Sequence, residues 1–188
     1  GNGTWSGNGP IAHVNLPFQF SYYGINYNEI TVCTNGWISF GSSESEAFRN
    51  YEIPGAGGPP AMVAVFWDDL KTNSGNVYTF ADPNNEYFVV EWSNMKTYDQ
   101  NSTENFQIIL YNNSVMPYGD GEMKLQYKTF NNTSNGNFSS YPPVHGSFCT
   151  IGIENELTDI GLQYTYNNQY SEGSSQLENE TAIFITTQ

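Results

Sequence analysis

The chain has 188 residues, 38% of them hydrophobic, and carries nineteen Asp+Glu against five Lys+Arg, a formal charge of −14. That length and apolar content build one sizeable core rather than two, and the charge repels phosphate backbones and anionic lipid surfaces, which excludes nucleic acid and membrane-surface partners. No run of eighteen apolar residues occurs, so no inserted membrane-spanning helix is expected.

Taken in chain order, residues 1–10 are glycine-rich and hold Trp5 and Pro10; they are too polar for a core strand and read as an extension able to link one subunit to another. Residues 11–188 read as a single domain. Leu16, Phe18 and Phe20 alternate with polar neighbours, as do Ile30 with Val32 and Ile38 with Phe40, which buries one face of a strand and wets the other. Asn35-Gly36 between the second and third runs supplies the positive φ of a tight hairpin turn. Residues 41–60, with Glu44, Glu46, Arg49 and a Gly/Pro-rich end, read as a long surface excursion between sheets. Further strands are expected at 62–67, 76–80, 87–92, 105–111, 122–130, 148–154, 161–166 and 181–186, separated by Pro, Gly, Asn and Asp. Residues 131–143 are polar and end in a double proline, the pattern of an exposed loop. About ten strands without an amphipathic helix predict an all-β, antiparallel, jelly-roll-like β-sandwich with long surface loops.

Seven Asn-X-Ser/Thr sequons, at Asn2, Asn101, Asn112, Asn131, Asn132, Asn137 and Asn179, point to an exported, glycosylated protein outside the cell or on its surface. In that compartment Cys33 and Cys149 are expected to form a disulfide. The long loop so closed would contribute about 4 to 5 kcal/mol by the chain-entropy model. The competing reading is a pair of buried free thiols.

The order Tyr22-Tyr23-Gly24, Ile30-Thr31-Val32, Thr34-Asn35-Gly36-Trp37-Ile38-Ser39-Phe40-Gly41 and Val65-Phe66-Trp67-Asp68-Asp69, then Gly75, Val77 and Tyr78, resembles the extracellular nidogen-type domain. Glu91-Trp92, Asn105-Phe106-Gln107 with Leu110, and Gly121 with Leu125-Gln126-Tyr127 continue the resemblance, which covers roughly residues 14 to 130 and departs after Asn131. It implies an extracellular, non-catalytic module of adhesion or structure.

The chemistry-bearing residues are few. Trp37, Trp67 and Trp92 are expected to anchor the core. Asp68 and Asp69 at a strand end are read first as turn formers and second as hard-oxygen ligands for Ca²⁺; Asp120, between two glycines, is read the same way. His13 and His145 lack a partnering nucleophile motif, and no elbow, phosphate loop or zinc pair is present. A glycosidase needs two carboxylates facing across a cleft, and Glu91 with Asp68 or Asp69 could in principle supply them. The expectation is a non-catalytic glycoprotein without cofactor that assembles with copies of itself, by strand donation from residues 1–10 or 182–186. The alternative is a carbohydrate- or protein-binding module using loop tyrosines such as Tyr98, Tyr118, Tyr141 and Tyr170.

Overall fold

The computed structural model describes residues 3–4, 9–72, 75–112, 119–135 and 147–186. Among them the chain forms fourteen strands and no helix: β1 (Gly3–Thr4), β2 (Ile11–Tyr22), β3 (Ile25–Cys33), β4 (Trp37–Phe40), β5 (Met62–Trp67), β6 (Leu70–Lys71), β7 (Asn76–Ala81), β8 (Tyr87–Thr97), β9 (Thr103–Tyr111), β10 (Met123–Thr129), β11 (Thr150–Glu154), β12 (Gly161–Tyr166), β13 (Gln169–Tyr170) and β14 (Thr181–Ile185). Every run read from alternation is a strand. The surplus over the eleven runs so read is β1, β6 and β13, two residues each, too short for any alternation to announce.

The strands form two seven-stranded antiparallel sheets. Sheet I runs β1-β7-β8-β9-β10-β14, with β6 beside the far end of β8; sheet II runs β13-β12-β11-β5-β4-β3-β2. The chain lays down β2 to β5 in sheet II, crosses to lay down β6 to β10 in sheet I, returns for β11 to β13, and closes with β14 on sheet I. This is the antiparallel sandwich that the alternation predicts.

The core between the sheets follows from period two. On β9, Phe106, Ile108 and Leu110 are buried while Asn105, Gln107 and Ile109 are not. They meet Val32, Ile38, Val63 and Val65 of sheet II in one cluster with Phe20, Phe66, Trp92 and Leu125. On β8 the buried set is Phe88, Val90 and Trp92, then Met95 and Thr97. A register shift between Trp92 and Met95, with Asn94 at φ +53°, moves the phase by one residue and returns Met95 to the core.

β4 and β5 are buried on both faces. Their outer face carries Trp37, Met62, Ala64 and Trp67, which form a second cluster with Cys33 and Ile53. The excursion over residues 41–60 covers it, which corrects the expectation of a simple surface crossover. Ile53 is buried, and Asn50, wholly buried, donates to Phe148 O at 2.6 Å and Thr150 Oγ1 at 3.1 Å. The physical reason is the outward-facing tryptophans, which need a lid.

The turn at Asn35-Gly36 holds as expected, with the left-handed conformation confined to Gly36 at φ +81°. A Cβ there would sit 1.9 Å from Phe66 O, because Gly36 O accepts from the N–H groups of Val65 and Phe66. Asn35 is buried, and its Oδ1 accepts from Leu70 N at 3.0 Å.

The expected disulfide is not formed: Cys33 and Cys149 are buried free thiols. Across sheet II, Cys33 pairs with Trp37, Trp37 with Ala64, and Ala64 with Gly152, which places the β11 end of the chain three strand spacings from Cys33. That is roughly 14 Å, against the ~6 Å that a disulfide spans between Cα atoms. Cys33 lies in the outer cluster and Cys149 in the inter-sheet core. Burial pushes the Cys33 thiol up to about 12 and the Cys149 thiol well above its ordinary value.

Candidate functional site

The outward face of sheet I is open among the described residues, where side chains that alternate away from the core meet no second layer. Three adjoining concavities of about 670, 450 and 440 Å³ lie on it, and Glu91 lines all three. Tyr78, Phe80, Tyr87 and Tyr111 supply rings on one side of Glu91; Gln107, Gln126 and Lys128 supply polar groups on the other. Gln107 Nε2 donates to Gln126 Oε1 at 2.7 Å across β9 and β10, fixing that amide pair. Strand alternation carries this face in the sequence, whereas the tyrosines singled out by their loop positions lie elsewhere. Of those, Tyr98 is exposed beside Lys71, and Tyr170 is half-buried with its hydroxyl accepting from Leu177 N. Tyr118 and Tyr141 lie outside the described residues.

The second chemical feature is acidic. Asp68, at the end of β5, is wholly buried; its Oδ1 accepts from Asp69 N at 2.8 Å and Ser134 Oγ at 3.3 Å. Burial pushes its carboxyl up to about 8, and the charges of Asp99 and Asp69 push the same way against those hydrogen bonds. Asp69 rises to about 6, from burial and the Asp99 charge, with Lys71 opposing. Glu104 is also buried, but its oxygens accept from Ser102 Oγ, Asn131 N and Asn132 N, so it acts as a cap for the 131–135 segment. No three His, Cys, Asp or Glu side chains converge as a ready metal site among the described residues.

Glu91 is exposed on the outer face while Asp68 is buried at a strand end, so the two do not face each other across one cleft. Asp120 Oδ1 accepts from Ser21 Oγ at 2.7 Å and Gly24 N at 2.9 Å, pinning the β2–β3 turn. His13 Nε2 lies 3.2 Å from Glu44 Oε1; His145 lies outside the described residues.

The sequons separate by environment. Asn101 and Asn179 are exposed on turns. Asn131 is exposed, with Nδ2 donating to Thr103 O at 2.7 Å; Asn112 is half-buried, with Nδ2 donating to Asn85 O at 2.7 Å. Asn132 differs from the other described sequons: it is only 6% exposed, at φ +49°, and accepts from Cys149 N through Oδ1, surroundings that disfavour a glycan. Its neighbour Ser134 is buried too, so 131–135 is not the wholly exposed start of a loop that composition suggests. Asn2 and Asn137 lie outside the described residues.

Two further surfaces are apolar. Leu157, Ile160 and Leu162 are 75%, 59% and 63% exposed around the β11–β12 turn. On sheet I, β14 pairs with β10 in unbroken register from Thr181 to Ile185, and among the described residues no strand pairs with its other edge. The strand TAIFI contains neither Pro nor a charge, and Phe184 is exposed on it.

No curated protein and no solved structure matches the chain. A family described as NIDO related matches residues 3–186, including the stretch after Asn131 that departs from the nidogen-type pattern. With that match running nearly end to end over a two-sheet sandwich, the chain belongs to the NIDO-related family, a module of the extracellular type.

Proposed function

We propose that the chain is a non-catalytic, extracellular structural glycoprotein that joins copies of itself through the edges of sheet I. The observation that supports it is the unguarded β14 edge. Natural sheets blunt an edge with Pro, charge or a bulge, and β2, the edge of sheet II, carries Pro17 within a register break between Asn15 and Phe20. β14 carries none of these devices. At the other side of sheet I, β7 is six residues long and β1 covers only Thr79 and Tyr78. That edge accepts the N-terminal segment of its own chain, so exchanging this segment with a neighbour costs little in contacts. A head-to-tail contact of β14 on β7 does not close on itself and builds a filament. Glycans on Asn101, Asn131 and Asn179 coat the surfaces left free.

Light scattering of the full chain at rising concentration tests this, with Phe184→Lys as the control. The exposed lysine places a charge on the edge without touching the core. Assembly in the wild type and its loss in the variant, at equal thermal stability, is the expected result; a wild type that stays monomeric ends the proposal.

A second reading has its own observation, the rings of Tyr78, Phe80, Tyr87 and Tyr111 beside Glu91 and Gln107. Such rings stack on sugar faces, and amide and carboxylate groups hold hydroxyls. Glycan-array binding lost in Tyr87→Ala supports a saccharide ligand; a blank array removes it.

A further inference from the structure

Asp68 and Asp99 meet at one end of the sandwich through consecutive residues of the 131–135 segment. Ser134 Oγ donates to Asp68 Oδ1 at 3.3 Å, and Asn135 N donates to Asp99 Oδ2 at 2.9 Å. The other two oxygens, Asp68 Oδ2 and Asp99 Oδ1, are buried and have no hydrogen-bond partner. Asp68 is 0% exposed, so solvent does not reach its free oxygen either. Asp69 adds a further negative charge nearby. Lys71, the nearby cation, is turned to Tyr98, with Nζ 3.1 Å from the carbonyl and 5.1 Å from the ring centroid. Buried carboxylate oxygens without partners are costly, and a hard cation is the partner that such oxygens take.

We propose that Asp68 Oδ2 and Asp99 Oδ1 bind a partly hydrated Ca²⁺ ion that ties the β5–β6 corner to the 131–135 segment. Because no third His, Cys, Asp or Glu side chain converges there among the described residues, the rest of the shell comes from neutral oxygens and water. Ca²⁺ tolerates such an irregular, oxygen-only shell, whereas Mg²⁺ demands near-octahedral geometry. Two carboxylates place the affinity in the range of extracellular modules, on the order of 10⁻⁴ to 10⁻³ M. The site stands apart from β14 and does not depend on self-association.

The test is thermal unfolding of the full chain in EDTA and in excess CaCl₂, with calorimetric titration of CaCl₂ into the EDTA-treated protein. The wild type is expected to bind one ion and to gain about 3 °C in Tm. Asp99→Asn, at a half-buried position, is expected to fold and to show neither effect. Asp68→Asn, which keeps an acceptor for Asp69 N and Ser134 Oγ, is expected to do the same. No response in the wild type, an equal response in Asp99→Asn, or an equal response to MgCl₂ overturns the assignment.

Discussion

Trp37 and Trp67 donate their indole N–H groups to one and the same acceptor, the carbonyl of Ala47, at 2.8 and 3.1 Å. Two core side chains from adjacent strands thereby hold the middle of the 41–60 excursion against sheet II. Either bond alone keeps that carbonyl satisfied. Trp37→Phe and Trp67→Phe are each expected to cost about 1 to 3 kcal/mol through lost packing and one hydrogen bond. The double variant is expected to exceed their sum by at least about 0.5 kcal/mol, because only then is the carbonyl unpaired. Urea unfolding of the four proteins checks the cycle, and strict additivity contradicts it.

At Gly36 the restriction is steric and backbone together. Gly36→Ala forces a Cβ into Phe66 O at a left-handed φ, so a loss on the order of 3 kcal/mol or more is expected. Gly24, at φ +76° with nothing within 4 Å of where a Cβ would stand, carries only the conformational part. Gly24→Ala is expected to cost about 1 kcal/mol. Equal losses at both positions in denaturant melts would contradict the distinction.

Glu154 gives the fold a pH dependence of definite sign. It is buried, with Oε2 accepting from Gly55 N at 2.8 Å, and burial pushes its carboxyl from 4.5 up to about 7. Between those values the folded chain holds a proton that the unfolded chain has released. The contribution is therefore complete below about pH 4.5 and lost as pH rises through 7, a change of up to about 3 kcal/mol. Glu154→Gln keeps an acceptor and removes the titration. Melting temperatures from pH 5 to 8 are expected to fall more steeply in the wild type than in the variant; parallel profiles would refute this.

The cysteines and sequons give a chemical prediction. With both thiols buried and three strands apart, the native chain is expected to show no thiol reactivity until unfolded, and Cys33→Ala/Cys149→Ala to keep the fold. Produced in a host that N-glycosylates, the chain is expected to carry glycan at Asn101, Asn131 and Asn179 and none at Asn132. Thiol counting and peptide mapping read both; an occupied Asn132 in folded protein would contradict the burial.

Alternation of side chains placed the long strands, because half-buried strands write their geometry directly into sequence. What alternation does not carry is the polar side chain turned inward. Glu104 sits at a core-facing position of β9, and Glu154 is buried on β11 against Gly55 of the 41–60 excursion; only the folded neighbours, Asn131, Asn132 and Gly55, show what satisfies them. Asp68 was legible as a candidate through its place after Phe66-Trp67, whereas Asp99, Ser134 and Asn135 come to it only through the fold. The Trp92–Met95 shift hid the end of β8 in the same way, since it breaks the period that announces a strand. The covering role of residues 41–60 was illegible because its partners, Trp37 and Trp67, lie on strands that look like ordinary core from either face.

That cover gives the molecule a front and a back. On the back, residues 41–60 are bound to buried tryptophans, so insertions or drift there disturb the whole sandwich. On the front, the side chains around Glu91 stand on a completed core and can change without penalty to folding. Among relatives that share this architecture, sequence novelty should accumulate on the front, which makes it the surface where one member of the family comes to differ from another in what it touches.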